Sequence, residues 1–258
     1  MGTFIRFRID PIATVQEVED SEVQKAAQEM HCDHYLGYVS QLRTLDHTQP
    51  YIAYNIVVLA QGMPERNEEK GIKPDMCVPI LPATYHPVGR RPLRPNKVLP
   101  FDNCYEHTHL PMITVRAKSE HRDYRDAFRL SIARQVREEE LGQKDRSRRR
   151  RLVKAIFPKQ LGEEGDTESS DGETEESGYD TPINRGSDGG SGEDSSEELG
   201  PGDIMAMAFA QGMADNRMLA ITDISYDIAS FTDYAQPEEF FKEQERLQKW
   251  VTFQRYQV

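Results

Sequence analysis

The chain lacks any run of about 20 consecutive apolar residues, the length that a membrane-spanning helix needs, and its longest candidate stretch covers only 51–60. Its first residues contain no apolar core of a secretory signal, and Arg6 stands where a myristoylation motif requires Ser or Thr. Cysteine is scarce, with three residues in 258, which is too few for a disulfide framework. These absences predict a reduced, soluble protein of the cell interior with no membrane attachment.

Motifs of common enzyme classes are absent as well. The sequence has no GxSxG nucleophile elbow, no GxGxxG after a strand and no GxxxxGK[ST] phosphate loop. We therefore expect no hydrolase, dinucleotide-binding enzyme or P-loop enzyme of these types. An enzyme of another type would need titratable groups that converge, and Asp102, His107 and an arginine of 89–95 are the candidates.

Apolar residues make up only 37% of the chain, and its net charge of −12 is unevenly distributed. Residues 1–162 carry 26 basic and 21 acidic side chains, whereas residues 163–199 carry one basic and 14 acidic ones. This acidic segment contains a single Tyr, a single Ile and a single Leu, so it cannot bury enough apolar surface to offset the entropy of ordering. The composition predicts a disordered insert, basic and then acidic, over 142–202.

A basic block, residues 144–154 with the sequence KDRSRRRRLVK, immediately precedes the acidic segment. Such a block is typical of a nuclear import signal, and it also fits a solvated helix end that pairs with the acidic segment, or a nucleic-acid contact. The acidic neighbour would repel phosphates, so nucleic acid is the least favoured partner. The candidate import residues are Lys144, Arg146, Arg148, Arg149, Arg150, Arg151 and Lys154.

The acidic segment places serine and threonine beside carboxylates, which is the setting that an acid-directed kinase prefers, and one Thr-Pro pair suits a proline-directed kinase. Each phosphate would add about −1.5 to −2 charge. Any acidic, serine-rich segment produces such matches by composition, so the prediction concerns the segment more than a single site. The candidates are Thr167, Ser169, Ser170, Thr181, Ser195 and Ser196.

Hydrophobic periodicity predicts strands at 4–9, 112–117 and 218–225. Helices are predicted at 21–43, 51–61, 124–141, 203–212 and 238–254, although 51–61 also has the β-branched and aromatic residues of a buried strand. The predicted fold class is α+β, a small β-sheet packed by about five helices and interrupted by the long disordered charged insert. Residues 1–141 and 203–258 would form a single domain around that insert.

The sequence contains an internal echo, LAQGMPE at 59–65 and FAQGMAD at 209–215. One hypothesis is a duplicated unit of buried helix, glycine stop and strand, with the insert between the two copies. The alternative is that two buried helices use the same glycine cap by coincidence. Either explanation assigns 203–258 to the same fold as the N-terminal part, because so apolar a helix needs a core to enter.

Cys104, His107 and His109 form the best candidate metal site, at spacings that suit zinc ligands. A tetrahedral site would need further ligands, either Cys77 or the group His31, Cys32 and His34. The alternative is a structural turn before a strand, and it is favoured because no CxxC pair is present. No other cofactor is expected.

The run CVPILPATYHPVGRRPLRP at 77–95, followed by LPFDNCY at 99–105 and preceded by IAYNIVVLAQ at 52–61, resembles fungal proteins to which no activity is assigned. The resemblance therefore implies no function, and only a lineage-restricted intracellular protein.

The favoured hypothesis is a non-catalytic interaction or regulatory protein with a phosphorylatable charged linker, nuclear or shuttling between nucleus and cytoplasm. Its partners would be an unidentified protein, an import receptor and an acid-directed kinase; neither nucleic acid nor a membrane is expected. The second hypothesis is a metal- or ligand-binding domain that uses Cys104, His107 and His109. The third is an enzyme of unrecognised type.

Overall fold

A computed structural model of the chain describes residues 1–43, 50–119, 125–157 and 219–255, and for 251–255 the backbone alone. Five strands close into a barrel, and two short strands extend it on one side. The strands are β1 Thr3–Ile9, β2 Tyr35–Leu42, β3 Tyr51–Gln61, β4 Val78–Pro79, β5 Cys104–Glu106, β6 Ile113–Lys118 and β7 Ile221–Ser225. The helices are α1 Pro11–Thr14, α2 Ser21–Glu29, α3 Ile132–Ile156 and α4 Pro237–Arg255.

The barrel closes because each of its five strands pairs on both edges. Strand β2 lies between β1 and β3, β3 continues to β6, and β7 joins β6 to β1. All of these pairings are antiparallel except the parallel pair β6 and β7. The far half of β3 also pairs with β5, which in turn pairs with β4. Strand β3 is therefore long because it serves both the barrel and its extension.

Alternation along the strands sends one set of apolar side chains to the inside of the barrel. Register places Phe7 opposite Ile224 and Ile56 opposite Ile113, and all four belong to one core cluster. Helix α4 closes one end, where the ring of Phe240 lies 5.6 Å from that of Phe7. The barrel interior is therefore a packed apolar core.

A second apolar cluster lies on the outside of the barrel, between β1–β3 and the segment that carries β4 and β5. Phe4, Tyr38 and Leu59 contribute from the barrel, and Leu99 and Phe101 from the proline-rich segment. This cluster explains how a segment with so many prolines stays ordered, since its apolar side chains fix it to the barrel wall.

Gly37 is required for packing inside the barrel. A Cβ atom at this position would lie 2.7 Å from the Val57 carbonyl oxygen and 2.8 Å from Ile56 Cγ2. We expect Gly37→Ala to lower the free energy of unfolding by about 2–3 kcal/mol, the upper part of the usual cost of overpacking, because the nearest atom belongs to the backbone. Urea denaturation measures it. The control is Gly89→Ala, where φ is +69° but no atom lies within 4 Å, so strain alone should cost about 1 kcal/mol. Equal costs at the two positions would contradict the packing argument.

The predicted fold class is wrong: the strands form a closed barrel with two added strands, and the described residues contain four helices, one of a single turn. The predicted helix at 51–61 is β3, and the uniform apolar run reflects burial of both faces of a strand. The predicted helix at 21–43 ends at Glu29, and its second half is β2. The predicted helix at 124–141 begins at Ile132 and continues to Ile156, so the predicted disorder of 142–202 is wrong for residues 142–156.

Other elements agree with the prediction. Strands β1, β6 and β7 cover the predicted 4–9, 112–117 and 218–225 to within a few residues, and α4 covers 238–254. The first copy of the internal echo follows a strand, so the proposed helix–glycine unit is wrong for that copy. Gly62 still has a positive φ of 83°, but it ends β3. The helix at 203–212, the second copy of the echo and residues 158–202 of the insert lie outside the described residues.

Candidate functional site

Helix α3 packs against the barrel and its extension through a polar stripe. Its buried residues are Glu138, Gly142 and Asp145, at helical steps of four and three. Leu141 packs against the second apolar cluster, whereas Ile132 at the start of the helix is exposed. Helix α3 is therefore held by apolar contacts together with a buried row of hydrogen bonds and charge pairs.

Asp145 is the central contact of this stripe. Both of its carboxylate oxygens accept hydrogen bonds from the Arg90 guanidinium, at 2.5 and 2.8 Å, and Thr108 Oγ1 donates a third. Arg90 Nη1 also lies 3.3 Å from the Cys77 carbonyl oxygen. The hydrogen bond to Asp145 raises the pKa of Arg90. An arginine of the proline-rich segment thus binds a carboxylate, and that carboxylate belongs to the chain itself.

The neighbouring turns of α3 repeat this arrangement at lower burial. Arg148 donates two hydrogen bonds, of 2.8 and 2.9 Å, to the carboxylate of Asp75, and this contact lowers the pKa of Asp75. Arg149 Nε donates to the Lys70 carbonyl oxygen at 2.9 Å. Bidentate arginine–carboxylate contacts fix orientation as well as distance. They set the rotation of α3 against the loop that follows β3.

Two buried glutamates meet one tyrosine where α3 begins to contact the barrel. The Tyr38 hydroxyl lies 3.1 Å from Glu106 Oε2 and 3.0 Å from Glu138 Oε2, and the two carboxyl groups also hydrogen bond to each other. The hydroxyl has one proton, so it can donate in only one of its two contacts, and any other hydrogen bond in this cluster needs a proton on a carboxyl group. Burial and the charge of Glu138 raise the pKa of Glu106 well above its usual range. At least one protonated carboxyl group therefore joins α3 to the barrel wall.

The candidate metal ligands Cys104, His107 and His109 are all buried beside this interface. His107 Nε2 lies 3.0 Å from the Gly62 carbonyl oxygen, and the rings of His107 and His109 stack at 5.6 Å. Burial and the neighbouring His107 lower the pKa of His109 to about 4, and burial raises the pKa of the Cys104 thiol to about 12. Among the described residues, no group of three His, Cys, Asp or Glu side chains is arranged to hold a metal ion.

The three groups suggested for an enzyme occupy different environments. Asp102 is exposed on the turn before β5, whereas His107 is buried. Arg90 is paired with Asp145. Nothing in these contacts joins the three into one reaction site.

The predicted basic block forms the second half of α3, and the structure divides it between two roles. Arg148 and Arg149 face the body of the protein, and Arg146 pairs with Glu139 at 2.8 Å. Lys144, Arg150 and Arg151 are exposed, and so is Lys154. We call Lys144, Arg150 and Arg151 the outward basic face. The phosphorylation candidates and the acidic segment lie outside the described residues.

Sequence reasoning missed the residues that hold α3 in place. Asp145 carried a usable signal, because it is the single acid within an otherwise basic block. Tyr38 and Glu138 carried none, since both lie in segments that read as ordinary helices, and Glu106 lies unremarked within the candidate metal segment. Their meeting depends on the barrel topology, which places three distant segments together.

None of the described helices combines the length and the apolar character that crossing a bilayer requires. Comparison of the chain with protein families, with curated proteins and with solved structures finds no match.

Proposed function

We propose that this protein is a non-catalytic interaction protein of the cell interior, which binds an acidic segment of a partner protein through the outward basic face of α3. The observation that carries the proposal is that Asp145 and Arg148 fix α3 against the rest of the protein while Lys144, Arg150 and Arg151 stay exposed. The outward cations are therefore held at fixed helical spacing. Acidic segment 163–199 is the regulated linker in this proposal, with phosphorylation adding charge that competes for the same face.

Burial supports a binding role over catalysis. The carboxyl pair Glu106 and Glu138, the strongest candidate for proton transfer, is closed off by α3 and the barrel wall, at 3% and 5% exposure. A general acid or base must come within hydrogen-bond reach of a substrate. In this protein the two groups instead reach each other and Tyr38, which suits a structural role.

We expect reversal of the outward basic face to weaken the binding of an acidic peptide at least tenfold at low salt, at about 0.5–1 kcal/mol for each of three charges. The variant is Lys144→Glu/Arg150→Glu/Arg151→Glu, and the probe is a fluorescein-labelled 12-residue peptide of alternating Glu and Ser. Fluorescence anisotropy measures the affinity. It is measured for the natural chain and for a neutralised chain, in which the 14 acidic residues of 163–199 are replaced by their amides.

The control carries the same charge change elsewhere, as Lys25→Glu/Arg94→Glu/Lys118→Glu, at three exposed positions. Both triple variants are also compared at 0.15 M salt, where the long-range effect is screened and the control should bind within about twofold of its parent. Equal weakening by the two triple variants in both chains would show that net charge alone attracts the peptide, and would remove the proposed face.

The same triple variant tests the prediction from the sequence that the basic block is a nuclear import signal. Deleting residues 144–154 would also remove Asp145 and Arg148, which hold α3 against the barrel. Reversal of the outward basic face leaves those contacts in place. We expect the tagged variant to lose nuclear enrichment in fluorescence images, and an unchanged distribution would contradict import through this helix.

A further inference from the structure

A groove lies between α3 and the barrel wall, on the side of the helix where Arg146 projects. It has a volume of about 460 Å³, within the range of ligand-binding sites. The described residues that line it are Gln41, Arg43, Asn55, Pro111, Met112, Thr114 and Arg146. Three strands of the barrel and one helix thus contribute to a single concave surface, about half of which is polar.

The wall of the groove is a ladder of hydrogen-bonded side chains across β2, β3 and β6. Thr114 Oγ1 donates to Asn55 Oδ1 at 3.0 Å, and Asn55 Nδ2 donates to Gln41 Oε1 at 3.2 Å. The ladder fixes the direction of both amides. It leaves the Nε2 hydrogens of Gln41 and one Nδ2 hydrogen of Asn55 available as donors to a ligand.

Arginines stand at the two ends of this ladder. Arg43 is exposed at the end of β2 and pairs with no carboxylate among the described residues. Arg146 reaches over from α3, where its Nη2 lies 2.8 Å from Glu139 Oε1. Guanidinium groups have donors and no acceptor, so the groove offers N–H groups along its whole length. Such a surface suits a ligand rich in carbonyl and carboxylate oxygens.

We propose that this groove binds an extended acidic segment of a partner protein, with the peptide carbonyls accepting from Gln41 and Asn55 and the acidic side chains pairing with Arg43 and Arg146. This proposal rests on the proposed function, and the groove is the site that would recognise the peptide. Position 146 is four residues before Arg150 on α3, so the groove continues into the outward basic face. The peptide is the favoured ligand over single-stranded nucleic acid because no aromatic ring for base stacking is among the described lining residues.

The test measures the affinity of a fluorescein-labelled peptide with the sequence Glu-Asp-Ser-Ser-Glu-Glu-Leu, which is that of residues 193–199. We expect Arg43→Gln to weaken binding about tenfold, the effect of losing one charge-assisted contact of about 1.4 kcal/mol. Gln41→Leu/Asn55→Leu keeps the charge and removes the amides, and it should weaken binding by a similar factor. Because Arg43 is exposed, we expect its substitution to leave the stability of the chain nearly unchanged, and thermal unfolding checks this. Thermal unfolding followed by circular dichroism checks the double variant.

Measurements at high salt distinguish binding in the groove from binding at the outward basic face. In 0.5 M salt the Lys144→Glu/Arg150→Glu/Arg151→Glu variant should bind like its parent, whereas the loss from Gln41→Leu/Asn55→Leu should persist. The matched control for Arg43→Gln is Arg94→Gln, at another exposed arginine, and it should leave binding within twofold. Both the natural and the neutralised chain are measured, because a tethered acidic segment competes at high effective concentration.

Binding that is lost with the groove variants in either chain supports the proposal, even if the outward basic face has no effect. Unchanged binding by Arg43→Gln and Gln41→Leu/Asn55→Leu in both chains would overturn it. Tighter binding of a 12-nucleotide oligothymidine than of the peptide would also overturn it, in favour of nucleic acid. Absence of peptide binding by both chains at millimolar concentration would overturn it as well.

Discussion

Replacing Asp145 by Ala is expected to lower the free energy of unfolding by about 3–5 kcal/mol, the cost of leaving one buried ion without its partner. The side chains of Asp145 and Arg90 are only 3% and 15% exposed. Without the carboxylate, Arg90 keeps its charge in a site that water reaches poorly, and Thr108 loses its acceptor. Urea denaturation followed by circular dichroism measures the change.

An exposed ion pair supplies the control for this prediction. Arg8 and Asp223 lie 3.4 Å apart on adjacent strands, with side chains 44% and 54% exposed. We expect Asp223→Ala to cost less than about 1 kcal/mol, because water screens the pair and solvates the remaining ion. Equal costs for the two aspartates would contradict the idea that burial decides the effect.

The double variant Arg90→Met/Asp145→Leu distinguishes the effect of losing the whole ion pair from the effect of leaving one ion without its partner. Removing both ions leaves no unpaired charge, so most of the stability lost in Asp145→Ala should return. A double variant as unstable as the single one would mean that α3 needs the ion pair itself for its position.

Glu106→Gln is expected to change how stability depends on pH, and the change should exceed that of any exposed glutamate. The pKa of Glu106 is raised in the folded protein by burial and by Glu138. The folded state therefore binds the proton more tightly than the unfolded state does. The stabilisation is complete below the ordinary glutamate pKa and is lost as pH rises towards the folded pKa, by about 1.4 kcal/mol for each pH unit.

Gln cannot lose that proton, so the variant should become progressively more stable relative to its parent between pH 5 and pH 8. Its amide can still accept from the Tyr38 hydroxyl and donate to Glu138. The readout is the difference between the two pH profiles. Contributions from buried His109, which favours folding as pH rises, cancel in this difference.

Glu17→Gln is the matched control, at an exposed position on the segment after α1. Its profile should run parallel to that of the parent. If the pH profile of Glu106→Gln also ran parallel to that of the parent, the carboxyl cluster would be ionised alike in the folded and unfolded states. That result would contradict the protonated carboxyl group inferred beside Tyr38.

Local sequence pattern was sufficient for elements that have one buried face. Strand β1 alternates Ile5, Phe7 and Ile9 with arginines, and α4 begins at Pro237 and places Phe240 and Leu247 on one side. These elements can be predicted because their apolar residues recur in the sequence with the period of a strand or a helix. The sequence predicts helices where β2 and β3 lie, because both faces of these strands are buried and the alternation is lost.

The polar interface of α3 was beyond local reasoning. The sequence predicted a helix that ends near Leu141, because the following residues are charged and show no apolar face. The helix continues because its partners are ions on the barrel and on the proline-rich segment, including Arg90 and Asp75. Such partners can be found only after the topology brings Thr108 and Asp145 together.

The parallel pairing of β6 with β7 has a consequence for the order in which the barrel can be completed on the ribosome. Strand β6 ends at Lys118 and β7 begins at Ile221, so about a hundred residues are synthesised between two neighbouring strands. Until β7 emerges, β1 and β6 each present an open edge of unpaired backbone groups, the kind of edge that recruits other chains. The entropy of so long a closure grows only logarithmically with length, so the finished barrel tolerates the intervening chain. The risk of aggregation therefore applies to the nascent protein. If the ribosome stalls within the acidic segment, the unclosed barrel exposes two unpaired strand edges to other chains.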